Sequence, residues 1–153
     1  FQICMWMLNN TRMGCATGAA ALGAACLEGA ANYANERMQF GQPIGKFQMI
    51  QHQIAEMKLE DDAAKMLVYR AAWLKENKLP SQQATSMAKL AGCNAAVHGA
   101  NMAMKIYGSY GYSTEYPCGR WLRDAKQFET LEGTSNIHMG IVAGIELGYQ
   151  PNR

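Results

Sequence analysis

Pro43, Pro80 and Pro117 cut the sequence at nearly equal intervals, and the stretches between them contain no other proline. A proline inside a helix removes a hydrogen bond and clashes with the preceding turn, so each marks a joint between helices. Between the joints the composition favours helix: 23 Ala and 11 Met, with few of the β-branched residues that suit strands. The expected architecture is all-α, an up-and-down four-helix bundle.

Four segments follow from this punctuation. The first starts at Asn9 or Asn10, either of which can cap it, and ends at Glu36 or Arg37 before Gly41-Gln42-Pro43. Its uncharged run from Met13 to Leu27 is 15 residues long. That is short of the ~20 needed to span a bilayer, so no membrane span is expected. The Gly14 to Gly18 spacing would let another helix approach closely. The second segment covers Lys46 to Asn77, with Ile50, Ile54, Met57, Ala64, Val68 and Ala71 on one face. Asp61 falls on that stripe, either paired inside the bundle or marking a drift of the face. The third follows Pro80 with Ser81 as its cap, and places Ala84, Ala88, Ala91, Ala95 and Met102 together until Gly108 stops it. The fourth starts near Thr134 or Ser135 and runs through Ile137, Ile141, Ile145 and Leu147 to Pro151.

Two long loops stand out. One is Arg37 to Gly45. The other, rich in Gly and Tyr, runs from Tyr107 to Thr134 and leads a carboxylate, Glu132, into a helix start.

Several functions are excluded or weakened. Net charge is +2 without a basic run, so a nucleic-acid partner is not expected. The five cysteines form no C-x-x-C and imply neither zinc nor a disulfide framework; a reducing cytoplasm or organelle matrix fits them. None of His52, His98 and His138 has Glu three residues before it, as a di-iron bundle requires, so no metal is expected and each histidine reads as core or interfacial. There is no G-x-S-x-G elbow. Gly108-x-x-Gly111 lacks the strand context of a dinucleotide fingerprint. An anion or cofactor site built from loop glycines, Arg37 and helix N-termini remains. On spacing alone, Glu132 reads as a first-turn carboxylate stabilising the helix dipole by roughly 0.3–1 kcal/mol.

A more specific pattern lies in five co-linear blocks. They are Glu132-Gly-Thr-Ser-Asn-Ile137, Arg123-Asp-Ala-Lys126, Gly111-Tyr-Ser-Thr-Glu-Tyr-Pro117, Arg37-Met-Gln-Phe-Gly-Gln-Pro-Ile44 and Phe47-Gln48. Together they resemble the C-terminal helical domain of the acyl-CoA dehydrogenases. The resemblance implies that residues 1–8 leave a preceding β-domain, that residues 9–150 are the helical domain and that residues 151–153 are a tail. The opening Phe1-Gln2-Ile3 has no initiator Met and no basic n-region, so the sequence reads as a piece of a longer chain.

The resemblance further implies FAD-dependent α,β-dehydrogenation of an acyl-CoA thioester. Glu132 would take the α-proton while hydride leaves the β-carbon for the flavin. Hydrogen bonds from its own backbone N–H and a ribityl hydroxyl would stabilise the thioester oxygen. A minority of the family draws the base from the position of Thr11, where threonine cannot serve. Arg37, Gln39, Phe40 and Gln48 match positions that bind the FAD pyrophosphate and adenosine across a dimer interface. Gly108 and Gly111 match the glycine turn near the FAD, and Thr134 and Asn136 match contacts to the flavin nucleotide. Lys105 stands where Gln is usual at that site, and Leu131 stands where an aromatic is common beside the base. Leu8, Asn9, Thr11 and Arg12 match CoA contacts, with Arg12 able to reach a phosphate; Leu131 and Gly133 complete the substrate side. Implied partners are acyl-CoA, an electron-transfer flavoprotein and further copies of the chain in a homodimer or homotetramer, in a bacterial cytoplasm or mitochondrial matrix. By itself the chain would fold but turn over little substrate. The alternative is a helical interaction module that keeps this bundle without catalysis.

Overall fold

The computed structural model describes residues 2–149. Helix α1 (Gln2–Glu36) leads into a short antiparallel hairpin, β1 (Met38–Gln39) and β2 (Gln42–Pro43), and a 3-10 turn over Ile44–Lys46. Then come α2 (Gln48–Glu76), α3 (Gln82–Tyr107), the single turn α4 (Ser109–Tyr112), α5 (Cys118–Thr130) and α6 (Ser135–Glu146). The all-α expectation holds. Pro151 and the tail 151–153 lie outside the described residues.

Four details differ from the sequence reading. Gln2 to Leu8 form the first turns of α1, so Asn9 and Asn10 sit inside the helix and cap nothing. Ser81 and Thr134 do occupy N-cap positions, but neither side chain makes a capping hydrogen bond. The long second loop contains α5, whose Cys118 and Ala125 are buried and whose Trp121, Leu122 and Phe128 pack on the core. Those five residues follow the 3- and 4-residue spacing of an amphipathic helix, so the signal was present in the sequence. Finally, the fully buried side chain of α6 is His138, while Ile137 and Met139 are exposed, Ile141 and Ile145 are half-buried, and Leu147 just past its end is exposed.

Helix α3 is central, packed against α1, α2, α5 and α6. Small residues let α1 and α3 meet backbone to backbone. A Cβ on Gly92 would lie 2.8 Å from the Ala16 carbonyl oxygen, and Gly99 faces the Gly23 backbone. Gly14 has nothing within 4 Å and Gly18 faces the Phe128 ring, so the close approach expected at those two glycines occurs along Gly23, Gly92 and Gly99 instead. Gly18 and Gly29 have another job. They leave room on α1 for Phe128 and Trp121, and this seats α5 across the bundle.

On α2 the expected stripe is inward, with Met57, Ala64, Val68 and Ala71 buried. Asp61 is buried with them, at 2% exposure, and its carboxylate pairs with Lys65 one turn on. Pairing, not drift of the face, accounts for it.

Candidate functional site

The residues singled out by sequence sort into two groups. From Arg12 to Glu36, α1 rises by about 36 Å at 1.5 Å per residue. One group gathers at each end of that length.

The first group surrounds the turn between α5 and α6. This turn is left-handed at two successive residues, with φ +58° at Glu132 and +106° at Gly133. Glycine accepts such a backbone readily, whereas a glutamate there costs on the order of 1–2 kcal/mol. Polar side chains from three helices hold it. Arg12 of α1 donates through Nε to the Glu132 carbonyl at 3.0 Å and through Nη1 to Asn9 Oδ1 at 2.9 Å. Lys89 of α3 donates to the Gly133 carbonyl at 2.7 Å and to the Glu129 carbonyl at 3.1 Å. His138 of α6 lies between Ser86 Oγ (3.2 Å) and the Glu132 carbonyl (3.3 Å). A carbonyl only accepts, so His138 Nε2 carries the proton and Nδ1 accepts from the serine hydroxyl. Burial, with help from the Arg12 and Lys89 charges, lowers the His138 pKa to about 4, which keeps the ring neutral at pH 7.

The carboxylate of Glu132 takes a different partner from its backbone. Thr11 Oγ1 donates to its Oε2 at 2.6 Å. The ion pairs among the described residues do not include Glu132. Its N–H donates to no backbone carbonyl among the described residues. Leu131 is exposed beside it, Leu8 and Asn9 are half-buried on the same end of α1, and Thr134 and Asn136 are exposed at the start of α6. One expectation is corrected. Arg12 is only 3% exposed and its guanidinium is spent on carbonyl and amide oxygens inside the turn, so it does not reach out to a phosphate.

The second group lies beyond the C-terminal end of α1. Tyr33 and Tyr107 stack at 4.0 Å, Tyr116 packs edge-on to both, and the Tyr107 hydroxyl donates to the Gly29 carbonyl. Against this aromatic base Arg37 lays its guanidinium over Tyr110 at 5.2 Å. No carboxylate among the described residues pairs with Arg37. Phe40 sits at the hairpin tip with φ +50° and is 91% exposed, while Gln39, Gln48 and Lys105 are also exposed. Gly108 ends α3 at φ +61° with open space where a side chain would be, and Gly111 is buried against Met104 and Tyr107.

Sequence reasoning missed Ser86 and Lys89 and left His138 as an ordinary core residue. A signal existed for Lys89, since it and Lys105 are the charged residues of an otherwise small-residue helix. Among the described residues no helix is long and apolar enough to cross a membrane.

Among the described residues this all-α bundle presents a glutamate without an ion-pair partner at one end and, at the other, an arginine without one beside exposed aromatics; the fold class is a helical bundle domain. The family model described as acyl-CoA dehydrogenase, C-terminal domain, matches residues 1–145, and the chain belongs to that family. It is 47% identical over 150 residues to the glutaryl-CoA dehydrogenase of Desulfococcus multivorans, covering 97% of this chain and 39% of the relative. It is 43% identical over 144 residues to the human mitochondrial short-chain specific acyl-CoA dehydrogenase, covering 94% of this chain and 35% of the relative. The solved butyryl-CoA dehydrogenase of Megasphaera elsdenii superposes with a TM-score of 0.94 at 38% identity, over 96% of this chain and 38% of that one. The chain thus spans well under half the length of these relatives.

Proposed function

We propose that this chain supplies the catalytic base, Glu132, and parts of the FAD and acyl-CoA sites of a FAD-dependent acyl-CoA dehydrogenase. The observation that carries the reading is the state of the Glu132 side chain. Its carboxylate accepts from the neutral hydroxyl of Thr11 at 2.6 Å, while the charged neighbour Arg12 is turned onto its backbone carbonyl. A carboxylate without an ion-pair partner keeps a lone pair free to accept a proton, and its held backbone fixes where that lone pair is delivered. Thr11 supports the reading in a second way. Its side chain meets that of Glu132, so the two positions from which the resemblance draws a base serve one point in space.

The far end fits half of the cofactor. Arg37, with no acidic partner among the described residues, suits a diphosphate, Phe40 offers a ring face, and the open Gly108 turn admits close approach. Thr134 and Asn136 belong to the opposite end, beside the base. A separation of about 36 Å exceeds what one dinucleotide spans, which supports a cofactor shared between subunits, with Arg37 and Phe40 serving the neighbour. When bound, the flavin supplies the hydride acceptor. This chain's own contribution is proton removal by Glu132, with the Glu132 N–H available to a developing oxyanion. Exposed Leu59, Met66, Tyr69 and Trp73 on α2 support self-association. Acyl-CoA as substrate and an electron-transfer flavoprotein as acceptor complete the proposal. The chain alone, lacking the remainder of such an enzyme, is expected to turn over little substrate.

The test uses the full-length protein. Glu132→Gln keeps shape and removes the base, so it should retain the yellow flavin spectrum and acyl-CoA binding while slowing flavin bleaching in stopped flow by about 10²–10⁴-fold. Bleaching at the parental rate would leave Glu132 as a helix-start carboxylate only.

A further inference from the structure

Lys89 is 0% exposed and is absent from the ion pairs among the described residues. A buried ammonium without a counter-ion is costly, and an apolar residue of similar length would serve packing better. Its hydrogen bonds explain its presence. One goes to the Glu129 carbonyl, in the last turn of α5, where orphan carbonyls carry the negative end of the helix dipole. The other, at 2.7 Å, goes to the Gly133 carbonyl, immediately after the left-handed Glu132. Lys89 therefore ties both sides of the strained turn to the centre of α3, the helix that touches most of the bundle. Arg12 and His138 hold the carbonyl between those two points. Three side chains from three helices grip consecutive parts of one turn, and none of them contacts the Glu132 carboxylate in the hydrogen bonds described.

We propose that Lys89 is a positioning residue for the Glu132 base: its buried ammonium clamps the Glu129 and Gly133 carbonyls and so keeps Glu132 in the left-handed backbone from which its carboxylate is aimed. The inference rests on the reading of Glu132 as the base. Its chemistry is local. Removing the donor frees two carbonyls and lets the turn relax towards a right-handed backbone, which swings the carboxylate away from its place beside Thr11. A displacement of about 1 Å in a reacting group can cost on the order of 100-fold in rate.

The experiment compares Lys89→Met, Lys89→Gln, Glu132→Gln and the double variant Lys89→Met/Glu132→Gln in the full-length, FAD-loaded enzyme. Lys89→Met should keep the flavin spectrum and bind acyl-CoA within a few-fold of the parent, yet bleach flavin about 100-fold more slowly. Lys89→Gln, which retains an amide donor, should recover part of that loss. In the Glu132→Gln background Lys89→Met should have no further effect, because a residue that acts through the base has nothing left to position. Hydrogen exchange should quicken at the Leu131, Ile137 and His138 amides while α3 keeps its protection. If Lys89→Met and Lys89→Gln both reduce flavin within about threefold of the parent while Glu132→Gln does not, the positioning role is wrong and the base reading stands. A rate loss in the double variant that multiplies the two single losses overturns the proposal too. Retained bleaching in Glu132→Gln alone sinks the base reading, whereas exchange at the turn still reports whether Lys89 holds it. Should Lys89→Met fail to load FAD, Lys89→Gln and its exchange pattern decide: slow bleaching with exchange raised only at the turn supports the proposal, and exchange raised throughout α3 refutes it.

Discussion

His138 is a residue through which acid should weaken this bundle. In the unfolded chain its imidazole titrates near the ordinary histidine value of about 6.5. In the fold, burial together with the Arg12 and Lys89 charges lowers that to about 4. Between these values the unfolded chain binds the extra proton and the folded one does not, so stability falls as the pH drops below about 6.5 and levels off near 4. Above about pH 7.5 this contribution is constant. At roughly 1.4 kcal/mol per unit the full loss is about 3 kcal/mol, and about 2 kcal/mol of it is spent by pH 5. For a chain of this size that is a fall of about 4–8 °C in Tm. The assay is urea denaturation followed by helical circular dichroism at pH 7.5 and 5.0, for the parent and for His138→Gln, which cannot titrate. The other titratable groups are the same in both proteins, so the comparison isolates the imidazole. The variant should lose about 2 kcal/mol less than the parent between the two pH values. Equal losses would show that His138 does not carry the linkage and that the ring tolerates its proton inside the turn.

Two further predictions concern packing. Gly92→Ala puts a methyl 2.8 Å from the Ala16 carbonyl on a facing backbone and should cost about 1–3 kcal/mol in denaturant titrations despite better helix propensity. Gly14→Ala, with open space around it, should gain up to about 1 kcal/mol. Lys65→Met strands the buried Asp61 carboxylate, one oxygen of which already lacks a partner, and should cost about 1–3 kcal/mol. Adding Asp61→Leu should restore most of it, and a double variant as unstable as the single one would argue against the stranded charge as the cause.

The prolines, the alanine-rich stripes and the Glu132 block determined the helical class, three of the long segments and the residue proposed as the base. These are local properties: a proline breaks a helix wherever it sits, and a 3- or 4-residue spacing places side chains on one face without reference to a partner. What lay outside local reach was every feature that depends on which helices meet. Gly92 and Gly99 rather than Gly14 became the closest approach, because crossing points are set by the packing of two surfaces. Helix α6 looked like a core helix by its isoleucines, yet the side chain the bundle buried fully was its histidine, since the partners waiting there were Ser86 and the Glu132 carbonyl. Arg12 looked like a cation for a phosphate, and the fold turned it inward onto the turn beside Glu132. Lys89, Arg12 and His138 are far apart in sequence and carry no shared motif. Only tertiary contact brings them to one strained turn, because a buried charge becomes tolerable just where the fold leaves carbonyl oxygens unsatisfied.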